Sequence, residues 1–237
     1  MRADEMTSYE FQNITGEDRV FIVPVGSMEG HGPHLPLGTD LLQPMGILEE
    51  IAARTGAVVM PPLPYGVCVG TRTVPGTFSL SFDTVRGFAR DMVLEMARNG
   101  IKRVLFLSGH AGRSHMAALK EGAREALEQL GTKMVVYVLS DYDFAYERED
   151  LPEDDGHGGC LETSRVMALR PDLVRPPRPV SHPTIQRFRI YTGEDNILPD
   201  GMHGDSSRAT VEYGEKVNRD IIENIVAVIE EMKKLPL

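Results

Sequence analysis

Four short apolar runs, alternating with stretches of helical periodicity, decide what this 237-residue chain can fold into. The runs are Val20 to Val25, Ala57 to Met60, Lys102 to Leu107 and Lys133 to Leu139. Each is too short for a buried helix, rich in branched aliphatics and bounded by Gly or Pro, so each reads as a buried strand. Between them, Leu41 to Arg54 places Leu41, Leu48 and Ile51 among its apolar positions, with Gly56 just beyond. Asp83 reads as the cap of a helix to Arg98, whose Val85, Phe88, Met92 and Met96 share one face. His115 to Leu130 is a third amphipathic helix, closed by Gly131. Strands separated by helices cannot form hairpins. They imply an α/β fold with a mostly parallel central sheet covered on both faces.

The regularity ends at Ser140. Residues 141–160 are acidic and Gly-rich, Leu161 to Leu169 reads as a helix, and Pro171 to Pro183 reads as an irregular surface loop. A last helix is expected from about Glu215 to Lys234, with Val217, Ile221, Ile225, Val228 and Met232 aligned. No repeat or flexible linker divides residues 1–237, so one domain is expected. A net charge of −10 opposes binding to nucleic acid or anionic membrane. No apolar stretch approaches a membrane span, and the N-terminus does not read as a signal peptide. Cys68 and Cys160 read as free thiols in a reducing compartment, so a cytoplasmic setting is expected.

Chemistry concentrates in loops at the expected carboxyl ends of strands, where open α/β sheets place their sites. Residues 26–40 carry Glu29, His31, His34 and Asp40 among glycines 26, 30, 32 and 38. Two carboxylates and two imidazoles in one Gly/Pro loop suit a borderline divalent metal. Taken singly, Asp40 reads as a helix cap paired with Gln43, and either histidine as a hydrogen-bonding structural residue. The second loop, Ser108 to His115, offers His110. It lacks the Gly-x-Ser-x-Gly of a serine-hydrolase elbow, and His115 is expected to point outward. In the third, Asp155 to Ser164, His157 precedes a helix whose first turn holds Glu162. On spacing alone Glu162 reads as a partner of the helix dipole, and Cys160 as a buried thiol.

In these loops the sequence resembles the creatininase family of metal-dependent amidohydrolases. Residues 26–40 follow its opening signature, and Val74-Pro75-Gly76-Thr77, Ser108 to Gly112, His157 to Ser164 and Gly204 to Glu212 follow in the family's order. The resemblance implies a three-layer αβα fold and two divalent ions per chain, Fe2+, Zn2+ or Mn2+. Asp40 would bridge them, with Glu29 and His110 toward one and His31 and Glu162 toward the other. It implies that His157 handles a proton near the scissile bond, and that the chain forms a ring-like homo-oligomer such as a hexamer. The implied substrate is a small molecule with a non-peptide C–N bond. Gly112 stands where creatinine-hydrolysing members carry glutamate, and the chain has no tryptophan, so creatinine itself is disfavoured. Arg72 and Arg113 could bind a phosphate or be solvated surface residues, and His34 is a further candidate substrate contact. Among family activities the deformylase of archaeal riboflavin and coenzyme F420 biosynthesis is favoured, acting on a formylamino-pyrimidine ribonucleotide monophosphate. A cyclic amidase or a mycofactocin-type peptidase is the alternative. Readings of another class are an inactive metal-binding scaffold and a two-metal phosphatase.

Overall fold

A computed structural model describes residues 1–15, 18–131 and 134–237. Its main sheet consists of β1 (Val20–Val25), β2 (Val58–Val59), β3 (Arg103–Ser108) and β4 (Val135–Ser140) in the order β2-β1-β3-β4, all parallel. The expected strands are found, though β2 is reduced to two residues and Lys133 lies outside the described residues.

Alternation along β1 and β3 divides the core between two faces, as a strand period of two requires. Val20, Ile22, Leu105 and Leu107 pack under α2 (Thr39–Thr55), α5 (Tyr142–Ala145), α6 (Cys160–Leu169) and α7 (Val211–Lys234). Phe21, Val23, Val104 and Phe106 pack under α3 (Phe82–Arg98) and α4 (Arg113–Leu130), with Phe11 of α1 (Ser8–Thr15) against their edge. The result is the three-layer αβα arrangement.

Several helix starts differ from the sequence reading, α4 beginning at Arg113 and α6 at Cys160. Ser81, not Asp83, caps α3, its Oγ accepting from Thr84 N at 3.1 Å. Helix α7 starts at Val211 because Thr210 accepts from Tyr213 N at 3.1 Å. Asp40 is the second residue of α2 and caps nothing; Gly38 occupies the cap position without a side-chain bond. The proline-rich segment is irregular apart from a 3-10 turn at Pro171–Leu173 and the short β5 (Val180–Ser181). The latter pairs antiparallel with β6 (Gly204–Asp205). No described helix is long and apolar enough to cross a membrane.

Helices α3 and α4 meet at Gly122. A Cβ there would lie 2.0 Å from the Arg86 carbonyl oxygen, a backbone atom that cannot step aside. Gly122→Ala is therefore expected to lower stability by about 1–3 kcal/mol. A urea midpoint equal to that of the parent chain would refute this close packing.

The strand register positions the site. Val25 is level with Ser108, and Ser108 with Ser140. The loops that follow these three strands thus leave one edge of the sheet together.

Candidate metal centre

Two glycines let the first two loops close on each other. A Cβ at Gly109 would sit 1.9 Å from the Asp40 carbonyl oxygen, and one at Gly26 would sit 2.8 Å from Leu41 N. The Asp40 carbonyl has no helical donor four residues on, since that position is Pro44. The start of α2 is consequently pressed, main chain to main chain, between the ends of β1 and β3.

This packing brings Glu29, His31, Asp40 and His110 together, and α6 delivers Glu162 to the same place. All five are buried, with exposures from 0% for His31 to 6% for His110. Asp40 faces both sides. Its Oδ1 lies 2.9 Å from His31 Nε2, and its Oδ2 lies 2.9 Å from His110 Nδ1. Glu29 Oε2 is 3.0 Å from His110 Nδ1, and Glu162 Oε2 is 3.5 Å from His31 Nε2. Each imidazole therefore meets one glutamate of its own and a share of Asp40.

The outer nitrogens of both rings are already committed. His31 Nδ1 donates to the Glu29 carbonyl at 3.0 Å, and His110 Nε2 donates to the Val67 carbonyl at 3.0 Å. A neutral imidazole has a single N–H. Spent on a carbonyl, it leaves the inner nitrogen a lone pair aimed at carboxylate oxygens, which only a cation between them makes favourable. In the chain alone that cation is a proton. Burial works against a charged His31, but Asp40 and Glu162 overcome it and lift its pKa to about 10. Burial likewise opposes charge on His110, and Glu29 and Asp40 raise it well above the ordinary value. Burial opposes ionisation of Glu29, yet His110 and His157 hold its pKa down to about 2.

The donor set fits divalent metals. Neighbouring ligands of a tetrahedral ion with bonds of about 2.1 Å are separated by about 3.4 Å, and the donors here stand 2.9 to 3.5 Å apart. Orienting groups surround them, as metal ligands require. The one Ser27 Oγ hydrogen is shared between Glu29 at 3.0 Å and Asp40, Thr71 Oγ1 donates to Glu29, and Gly158 N donates to Glu162 at 2.7 Å. Sequence reasoning passed over Ser27 and Thr71; only their burial reveals them. Glu162 is free for the centre because Asp155 already accepts from Cys160 N at 2.7 Å and Leu161 N at 2.8 Å. Asp155, not Glu162, satisfies the first turn of α6.

The centre floors a cavity of about 380 Å³ walled by Val69, Gly70, Arg113, Tyr146, His157 and Leu198, among others. His157 is half-buried, donates from Nε2 to the Gly30 carbonyl at 2.8 Å, and lies over the His31 ring with centroids 4.0 Å apart. Arg113 is exposed on the cavity wall. Two other expected substrate contacts lie elsewhere. Arg72 is exposed beside a neighbouring hollow formed by Tyr65, Phe78 and Ser79. His34 is fully buried with Nε2 2.8 Å from Thr163 Oγ1, and burial lowers its pKa to about 4. His115 does not point outward. It is buried, accepts from Val67 N at 3.3 Å and packs edge-on against His110. The register of α4 turns that side chain toward the loop at Gly66 and Val67. Cys160 is a buried free thiol, as expected, and so is Cys68.

Residues 4–229 match the creatininase family profile, described as creatinine amidohydrolase. The creatinine amidohydrolase of Pseudomonas putida is 33% identical, over 96% of this chain and 95% of its own length. The mycofactocin precursor peptide peptidase of Mycolicibacterium smegmatis is 27% identical, over 85% of this chain and 80% of its own. A solved creatininase variant of zinc–zinc type superposes with a TM-score of 0.89 at 30% identity, covering 99% of this chain and 98% of that one.

Proposed function

This chain belongs to the creatininase family of amidohydrolases, and from that premise we propose that it cleaves a small-molecule amide or formamide bond at two divalent ions. Asp40 would serve both ions, with Glu29 and His110 holding one and His31 and Glu162 the other. The observation that carries this reading is the pair of buried imidazoles whose outer nitrogens are spent on carbonyls while their inner nitrogens face three carboxylates. Bound ions supply Lewis acidity and bring the pKa of a coordinated water toward about 7. Zinc, manganese and ferrous iron all suit this donor set.

The chain's own residues do the rest. Tyr146, Leu198 and Val69 narrow the cavity and exclude bulk water from the bond to be broken. His157 keeps its Nε2–H on the Gly30 carbonyl beside His31, takes a proton from the attacking water at its other ring nitrogen, and returns that proton to the departing nitrogen. His157→Ala is accordingly expected to keep both ions while turnover falls about 10² to 10⁴-fold. Metal analysis alongside steady-state kinetics checks this, and undiminished turnover would remove His157 from the reaction.

Within this class we favour a formamide substrate bearing a phosphate, the formylamino-pyrimidine ribonucleotide monophosphate of riboflavin biosynthesis. Support comes from one cation, Arg113, on the cavity wall, while Arg72 lines a neighbouring hollow. Anaerobically purified, metal-loaded chain should release formate from that nucleotide. Turnover of creatinine or of a peptide amide with no formate release would move the assignment to the cyclic-amidase or peptidase branch. Phosphate release alone would make it a phosphatase, and no turnover with any of them would favour a scaffold. The same reading carries a ring-like homo-oligomer, which sedimentation of the loaded chain measures directly.

A further inference from the structure

We propose that Asp154, His182 and His203 form a separate divalent-cation site of zinc type on the rim of the molecule, fastening the β5–β6 pair to the loop that carries His157. The three come from distant parts of the chain, yet their ligand atoms lie within 4.8 Å of one another. Asp154 Oδ2 is 2.8 Å from His182 Nδ1, and Asp154 Oδ1 is 2.9 Å from His203 Nε2. None of them belongs to the buried centre.

The sheet register explains the meeting of the histidines. Val180 pairs with Asp205 and Ser181 with Gly204. The next pair outward in an antiparallel ladder is His182 with His203. Directly opposed residues on one face hold their Cβ atoms about 5 Å apart, close enough for two imidazoles to share one ion. Their rings stand edge to face, 5.5 Å between centroids. Asp154 then closes the third side. Two imidazoles and one carboxylate, with further positions left to water, are a familiar zinc set. Side-chain exposures of 39%, 62% and 23% for His182, Asp154 and His203 leave the ion an open route from solvent.

The position gives such an ion mechanical reach. His203 N donates to the His157 carbonyl at 2.6 Å. The neighbour of Asp154 is Asp155, which anchors the start of α6 and with it Glu162. A Cβ at Gly204 would come within 2.6 Å of Asp155 Oδ1, so β6 already rests on this loop. A cation there ties residues 154–162 to the β5–β6 pair and steadies His157 without touching substrate.

The test is zinc content by mass spectrometry after the full-length chain is incubated with zinc alone and desalted. Circular dichroism verifies the fold of each variant. His182→Ala and Asp154→Asn should each lose about one ion per chain and keep the complement of the buried centre. Both should also lose the zinc-dependent rise in Tm that the parent chain gains from this site. Folded His182→Ala or Asp154→Asn chains that retain the parent zinc content would overturn the proposal.

Discussion

Asp40→Ala is expected to abolish hydrolysis, lowering turnover by about 10³-fold or more, and to leave less than about one divalent ion per chain. Asp40 offers one carboxylate oxygen to each half of the centre. Its two oxygens lie 2.9 Å from His31 and 2.9 Å from His110, and its helix is clamped between the ends of β1 and β3. On the two-ion reading proposed above, truncation would remove a ligand from each ion at once and leave His31 and His110 each with a single glutamate. Asp40→Asn keeps the shape and removes the charge, so it should lose metal as well. Retention of both ions by a folded Asp40→Ala chain would eliminate the bridge.

Arg165→Met is expected to cost about 3–5 kcal/mol of stability, the usual penalty for stranding a buried charge. Arg165 is fully buried on α6, donates to Asp141 at 2.7 Å and Asn218 at 2.9 Å, and lies over the Tyr142 ring. Burial pushes the Asp141 carboxyl above its ordinary pKa, and Arg165 works against that push. The native state thus holds the Asp141 proton more tightly than the unfolded chain does, and removing the guanidinium tightens it further. The deficit of the variant should be complete above the native pKa of Asp141. It should shrink as pH falls to the ordinary carboxylate range, where both states are protonated. Urea titrations across pH measure this. A deficit independent of pH would show lost packing rather than a stranded carboxylate. Adding Asp141→Leu to Arg165→Met should recover much of the loss. Because the pair pins α6 to the end of β4, it also sets where Glu162 stands.

Apolar periodicity sufficed for the layers of the fold, since β1, β3 and their covering helices follow simple alternation. The loop of residues 26–40 was legible as a metal site because so many ligand types crowd one strand end. Glu162 was not, since a carboxylate in a first helical turn has an ordinary explanation until Asp155 is seen in that role. His115 misled for a related reason: periodicity marks apolar faces and is blind to a polar ring buried beside another. Ser27, Thr71 and the Arg165–Asp141 pair act through contacts between distant segments, which no local pattern encodes. The two arginines illustrate the same limit, since Arg72 and Arg113 are the same residue type and part only in the hollow each one lines.

Gly26 and Gly109 lean directly on the backbone of Asp40, so the floor of the cavity is held by main-chain contacts that side-chain changes elsewhere do not move. The opposite wall, with Val69, Tyr146 and Leu198, consists of replaceable side chains. A scaffold divided in this way inherits its chemistry unchanged while its diet drifts. Directed evolution toward a new amide should accordingly find its gains on that wall, whereas side chains added at Gly26 or Gly109 should unseat Asp40.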